Sequence, residues 1–113
     1  MSAVWAWLIG LRTWLLSFFD RPYKFEVNEG TYPKRLEKRR IYILTEDGDP
    51  WEAKMICPCG CGEVLDLNLI PDDHPTWKAT ADSQGRATLH PSVWRHIGCK
   101  SHFWVRNGRI FWA

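Results

Sequence analysis

The sequence predicts a small, mainly β domain built from antiparallel hairpins around a cysteine-bearing turn, preceded by one hydrophobic α-helix. Short alternating apolar runs recur from residue 24 onward, with turn residues between them. Asn107-Gly108 stands between two of these runs, a strong short-range hairpin signal. Residues 3–19, AVWAWLIGLRTWLLSFF, make a nearly continuous apolar stretch with no proline, which reads as a helix. At 113 residues the chain suits one compact domain, and its 8 tryptophans bring large rings to a small core.

Residues 1–22 are expected to form the helix and residues 23–113 the β domain. A 17-residue apolar run is at the short end of what crosses a bilayer, and Arg12 near its middle is costly in hydrocarbon. Ser2, Ala6, Gly10, Thr13, Ser17 and Asp20 trace a small or polar stripe at helical spacing. Spanning a membrane, lying in its interface and packing on a partner protein are three open readings of this segment. If it spans, Arg21, Lys24, Lys34, Arg35, Lys38, Arg39 and Arg40 follow it closely. The positive-inside rule then leaves the domain in the cytoplasm, anchored at the inner face of the membrane.

In the β domain, RIYILT (40–45) and WEAKMIC (51–57) flank EDGDP as a hairpin, and EVLDLNL (63–69) alternates clearly. WKATA (77–81) and RATLH (86–90) flank DSQG, and SHFWVR (101–106) and RIFW (109–112) flank Asn107-Gly108. A two-residue loop in the last hairpin sets Arg106 opposite Arg109, Val105 opposite Ile110 and Phe103 opposite Trp112. Ser101, Phe103, Val105, Ile110 and Trp112 then face the core. His102, Trp104, Arg106, Arg109 and Phe111 face the other way. Ser101 and His102 thus point apart on a regular strand. A serine paired with His102 needs a bulge at Ser101 or must come from elsewhere, and Ser92 in HPSVW is the other candidate.

Charge excludes little but tempers one class. A net charge of +2 and a pI near 8.4 are too weakly basic to argue for nucleic acid, and the aromatic and basic residues fit no recognised nucleic-acid module.

Three of the four cysteines fall in CPCGCG, as Cys57, Cys59 and Cys61, while Cys99 stands alone in CKSHFW. Disulfides between such close neighbours would be strained, and no secretory cleavage pattern follows the apolar run. A metal fits better. Zinc takes about four thiolate or imidazole ligands in a tetrahedron, and glycines between the thiols let the backbone turn tightly enough to aim them at one ion. Cys57, Cys59, Cys61 and Cys99 form an all-thiolate set. Cys99 and His102, in C-x-x-H spacing, with two of the clustered thiols form a second set. Spacing alone does not choose between them. Ferredoxin-type spacings for an iron–sulfur cluster are absent.

The order C-P-C-G-C-G, T-L-H-P-S-V and C-K-S-H-F-W-V-R-N-G-R-I-F-W resembles a small bacterial zinc-binding family, formerly a domain of unknown function. Its members share a C-x-C-G-C-G turn, a P-S-[IV] step and a C-x-S-H-[FY]-W strand ending in a G-R-[IV] hairpin. The resemblance covers roughly residues 35 to 113. Genes of the family sit beside bacterial ubiquitin-like modifiers and their activating and conjugating enzymes. The resemblance implies a peptidase with serine chemistry that trims or removes the modifier, with the modifier, its conjugates and those enzymes as partners. It maps onto Ser92, Cys99, Ser101 and His102.

A serine peptidase needs a hydroxyl, an imidazole to take its proton and donors for the oxyanion. His102 is the expected base and Ser101 the expected nucleophile, with Ser92 second, and Glu63 or Asp66 as the acid that orients the imidazole. His74 and His96 lie in turn-like sequence. The competing readings are that Ser101 and His102 only support the metal site, or that the domain is a zinc module docking a partner through Trp104, Arg106 and Phe111. A zinc-water hydrolase would need an open coordination position, which four thiolates do not leave.

Overall fold

The computed structural model describes residues 21–113. The expected helix over residues 1–22 lies outside them except for Arg21 and Pro22, which belong to no helix or strand. Among the described residues no helix is long and apolar enough to cross a membrane.

Eight strands follow in order: β1 Lys24–Glu29, β2 Arg40–Glu46, β3 Asp49–Ile56, β4 Val64–Asn68, β5 Lys78–Ala81, β6 Ala87–Trp94, β7 His102–Arg106 and β8 Arg109–Trp112. They form two four-stranded sheets, ordered β1-β2-β3-β4 and β5-β6-β7-β8. Alternation along the strands supplies the shared core. Ile41, Ile43, Ala53, Met55, Leu65 and Leu67 come from the first sheet, and Leu89, Val93, Phe103 and Val105 from the second. Truncating a fully buried ring such as Phe103 to alanine would cost about 3–5 kcal/mol.

The hairpins follow turn chemistry. Asn107 (φ 48°) and Gly108 (φ 79°) both adopt left-handed backbone, as a type I′ turn demands, and all three expected pairs across β7 and β8 are present. Trp112 departs from expectation. Its ring meets Phe103 edge-on at 5.8 Å, yet it stays 56% exposed, because β8 is the edge strand and ends there. The first hairpin is tighter than EDGDP suggests. Its turn is Asp47-Gly48 alone, again with both residues at positive φ, and Glu46 pairs with Asp49. The Glu29 carboxylate closes this turn by accepting from the Thr45 hydroxyl (2.5 Å) and the Asp47 amide (2.6 Å), which holds its pKa below the usual carboxylate range.

One pairing breaks the expected all-antiparallel pattern: β1 runs parallel to β2, with Phe25 opposite Ile41 and Val27 opposite Ile43. A parallel neighbour needs a crossover, and residues 30–39 provide it. That segment also covers the reverse side of β2, where Tyr42 is buried and its hydroxyl accepts from the Glu37 amide at 2.8 Å. The chain leading into β1 ties the sheets together. Tyr23 N–H donates to Gly108 (2.8 Å), Phe25 N–H to Gly85 (2.9 Å), and Ala87 N–H to Tyr23 (2.9 Å).

The second irregularity places the site. Between Leu89 and Val93, β6 takes four residue steps, while β7 takes two from Val105 to Phe103. Two extra residues therefore bulge from β6, a central strand, within His90-Pro91-Ser92. Proline has no N–H to donate to a ladder, so a bulge is where a central strand tolerates it.

Candidate active site and metal centre

Cys57 follows β3 directly, and the turn to β4 folds back on itself. Cys57 N–H donates to the Glu63 carbonyl (2.8 Å), Gly60 N–H to the Cys57 carbonyl (3.4 Å) and Cys61 N–H to the Cys59 sulfur (3.3 Å). Cys99 arrives from the loop between β6 and β7, in the other sheet. The four sulfurs lie within 4.8 Å of one another, with Cys57 at 3.4 Å from Cys59 and 3.7 Å from Cys99. A tetrahedral ion bound at ~2.3 Å sets its sulfurs roughly 3.8 Å apart, so these residues can hold one metal ion. His102 is not in the group.

Arg95, unmarked in the sequence reading, braces this cluster. Its Nη1 donates to the sulfurs of Cys99 (3.0 Å) and Cys61 (3.5 Å), and its Nη2 pairs with the Glu63 carboxylate. Four thiolates around a divalent ion would keep a net negative charge, which this guanidinium would offset. The ion pair passes over Gly98 (φ 77°), where a Cβ would sit 3.1 Å from Arg95 Nη2 and 3.3 Å from the Glu63 oxygens. The Ser101 hydroxyl shares a hydrogen bond with Cys99 Sγ at 3.1 Å. That hydroxyl, then the Ser101 backbone, pulls the Cys99 thiol down to about 6, whereas burial pushes Cys57 up to about 12.

The bulge on β6 delivers Ser92 to His102, with Oγ 2.8 Å from Nε2. Trp77 Nε1 donates to the Ser92 carbonyl at 3.2 Å and fixes the bulged backbone. Trp94, opposite His102 in the β6–β7 register, stacks on the imidazole with centroids 5.0 Å apart and planes at 13°. His96 lies against the same indole at 4.7 Å. A neutral imidazole with its proton on Nδ1 offers Nε2 as acceptor to the Ser92 hydroxyl. That is the arrangement by which a base activates an alcohol as a nucleophile.

The structure brings Ser92, not Ser101, to His102; the latter serine faces the cysteine cluster. Neither expected acid is recorded against the imidazole. Glu63 is held by Arg95 and Asp66 by Lys54 at 3.1 Å, and among the described residues no carboxylate is hydrogen-bonded to His102. The sequence reading missed Trp94 and Arg95. Arg95 had a signal, a cation four residues before Cys99. Trp94 had only its position two residues after Ser92 in HPSVW.

No curated protein and no solved structure matches the chain. Residues 28–113 match the family model described as bacterial ubiquitination-like system serine protease (BubE), and with that match covering most of its length the chain belongs to this family.

Proposed function

We propose that this chain is a serine-type peptidase that processes or removes a ubiquitin-like modifier, with Ser92 as nucleophile, His102 as general base, and a structural zinc held by Cys57, Cys59, Cys61 and Cys99. The observation that carries the reading is the 2.8 Å contact between Ser92 Oγ and His102 Nε2 at the β6 bulge. Membership in a family of proteases from a ubiquitination-like system supports the substrate class.

His102 Nε2 takes the Ser92 proton as Oγ attacks the carbonyl carbon at the end of the modifier's tail. The tetrahedral intermediate collapses with cleavage of the C–N bond, and the imidazolium passes its proton to the departing amine. Water, deprotonated by His102, then hydrolyses the Ser92 ester and releases the tail carboxylate. Trp94 keeps the ring in line through these transfers, a task that a carboxylate performs in the familiar triad. Zinc, when bound, supplies cross-linking rather than chemistry, since four thiolates leave no open position. The partners of this reading are the modifier, its conjugates and the activating and conjugating enzymes that make them.

The test uses a fusion of the modifier to a reporter through its tail. Ser92→Ala and His102→Ala should each slow cleavage by roughly 10³-fold or more while keeping metal content and melting behaviour. Ser101→Ala should retain most of the activity. A Ser92→Ala protein that cleaves as fast as its parent would refute the assignment.

A further inference from the structure

The face of the second sheet that turns from the core carries more than the reacting pair. On β7, His102, Trp104 and Arg106 alternate with the buried Phe103 and Val105. Alternate residues on a strand are roughly 7 Å apart, so Trp104 and then Arg106 form a stripe leading away from His102. Phe111 on β8 pairs with Trp104 and is 47% exposed. The Arg106 guanidinium lies over both rings, 4.7 Å from the centroid of Trp104 and 6.0 Å from that of Phe111. Arg106 also stands directly opposite Arg109.

Like charges set opposite each other on a sheet weaken the pairing. Among the described residues no carboxylate pairs with either arginine, and both are exposed. The fold alone gives no reason for this juxtaposition; a partner's carboxylates would. The composition suits an interface as well. Tryptophan, arginine and aromatic rings dominate binding hot spots, and a guanidinium already stacked loses less freedom on docking.

We propose that this face docks the folded body of the ubiquitin-like modifier through an apolar patch flanked by acidic side chains, while the modifier's tail runs along the sheet to Ser92. The proposal rests on the peptidase reading for the identity of the partner. The geometry points to the modifier rather than to an unrelated protein because the stripe begins at the reacting pair. Arg106 is roughly 13 Å along the strand from His102, a span that about four extended tail residues cover.

The experiment uses the full chain and two probes: the system's ubiquitin-like modifier fused through its tail to a reporter, and the tail as an isolated peptide. The variants are Phe111→Ala and the double substitution Arg106→Glu with Arg109→Glu, each checked for melting. The ratio of kcat/KM for the fusion to kcat/KM for the peptide should fall at least about tenfold in each variant. Titration of the fusion onto protein carrying Ser92→Ala should show the same loss of affinity on adding these substitutions, and binding should weaken as salt rises. A ratio and an affinity that both stay at the parent's values overturn the docking face. A parent that cleaves neither probe overturns the peptidase reading alone, and the titration then decides the docking face by itself.

Discussion

The cysteine cluster and the Ser92–His102 pair meet at one connection, that from β6 to β7, which carries Cys99 and joins the strands bearing Ser92 and His102, yet they are assembled by opposite means. The cluster draws three sulfurs from a single turn and one from a loop of the other sheet, so a bound ion would reinforce a junction already made by packing, by the Arg95–Glu63 ion pair and by the chain at the start of β1. The Ser92–His102 pair lies within one sheet, and its alignment comes from a strand irregularity, an indole stack and a backbone hydrogen bond. On the proposed reading an ion locks the geometry of the first site, whereas the sheet sets that of the second. Damage to the first should therefore be read as lost folding, and damage to the second as lost rate.

The sharpest way to break this contrast is Cys99→Ser. If the cluster holds structural zinc as proposed, the ion contributes about 10–16 kcal/mol of apparent binding energy to folding, so the variant should lose the cooperative melting transition and the ion together. A Cys99→Ser protein that melts like its parent and keeps its metal would erase the distinction. Arg95→Ala should act next most strongly, weakening metal affinity about 10–100-fold, as loss of partners around ligands commonly does, which competition with a chromophoric chelator would measure. Trp94→Ala should leave metal content alone and slow cleavage by about tenfold or more, with Trp94→Phe restoring much of the rate if stacking is what matters. Ser101→Ala should do least. It removes one hydrogen bond to Cys99, so cleavage should change by less than about threefold and metal affinity should fall slightly.

How far each site could be read from sequence follows the same line. CPCGCG announces a cluster able to hold a metal because the requirement is local: thiols at short spacing and glycines to bend between them. Cys99 had to be recruited from far along the chain, but it was the one cysteine left. The β7–β8 hairpin was equally legible, since Asn107-Gly108 fixes both turn and register. Ser92 was named only as a second candidate because strand patterning counts in twos. Pro91 argued for ending the strand at His90, whereas β6 absorbs the proline in a bulge and continues to Trp94. The core face of Phe103 and Val105 came from the same counting and holds. Trp112 does not, since edge position overrides alternation. The parallel partnership of β1 and β2 left no mark, because KFEVNE is separated from RIYILTE by a charged segment with no helical or strand pattern of its own.

That parallel strand bears on where this unit begins. The match to the family starts at residue 28, one residue before β1 ends. A protein trimmed to that boundary would keep Asn28 and Glu29 and lose the amides of Tyr23, Lys24 and Phe25, which bond to Gly108, Arg39 and Gly85, together with the Tyr23 carbonyl that receives Ala87. It would also uncover the flank of β2 along Arg40–Ile43, an apolar strand whose free N–H and C=O groups invite another copy to pair there. Residues 23–27 thus act as the selvedge of the cloth, a margin that covers β2 and is itself stitched to Gly85, Ala87 and Gly108.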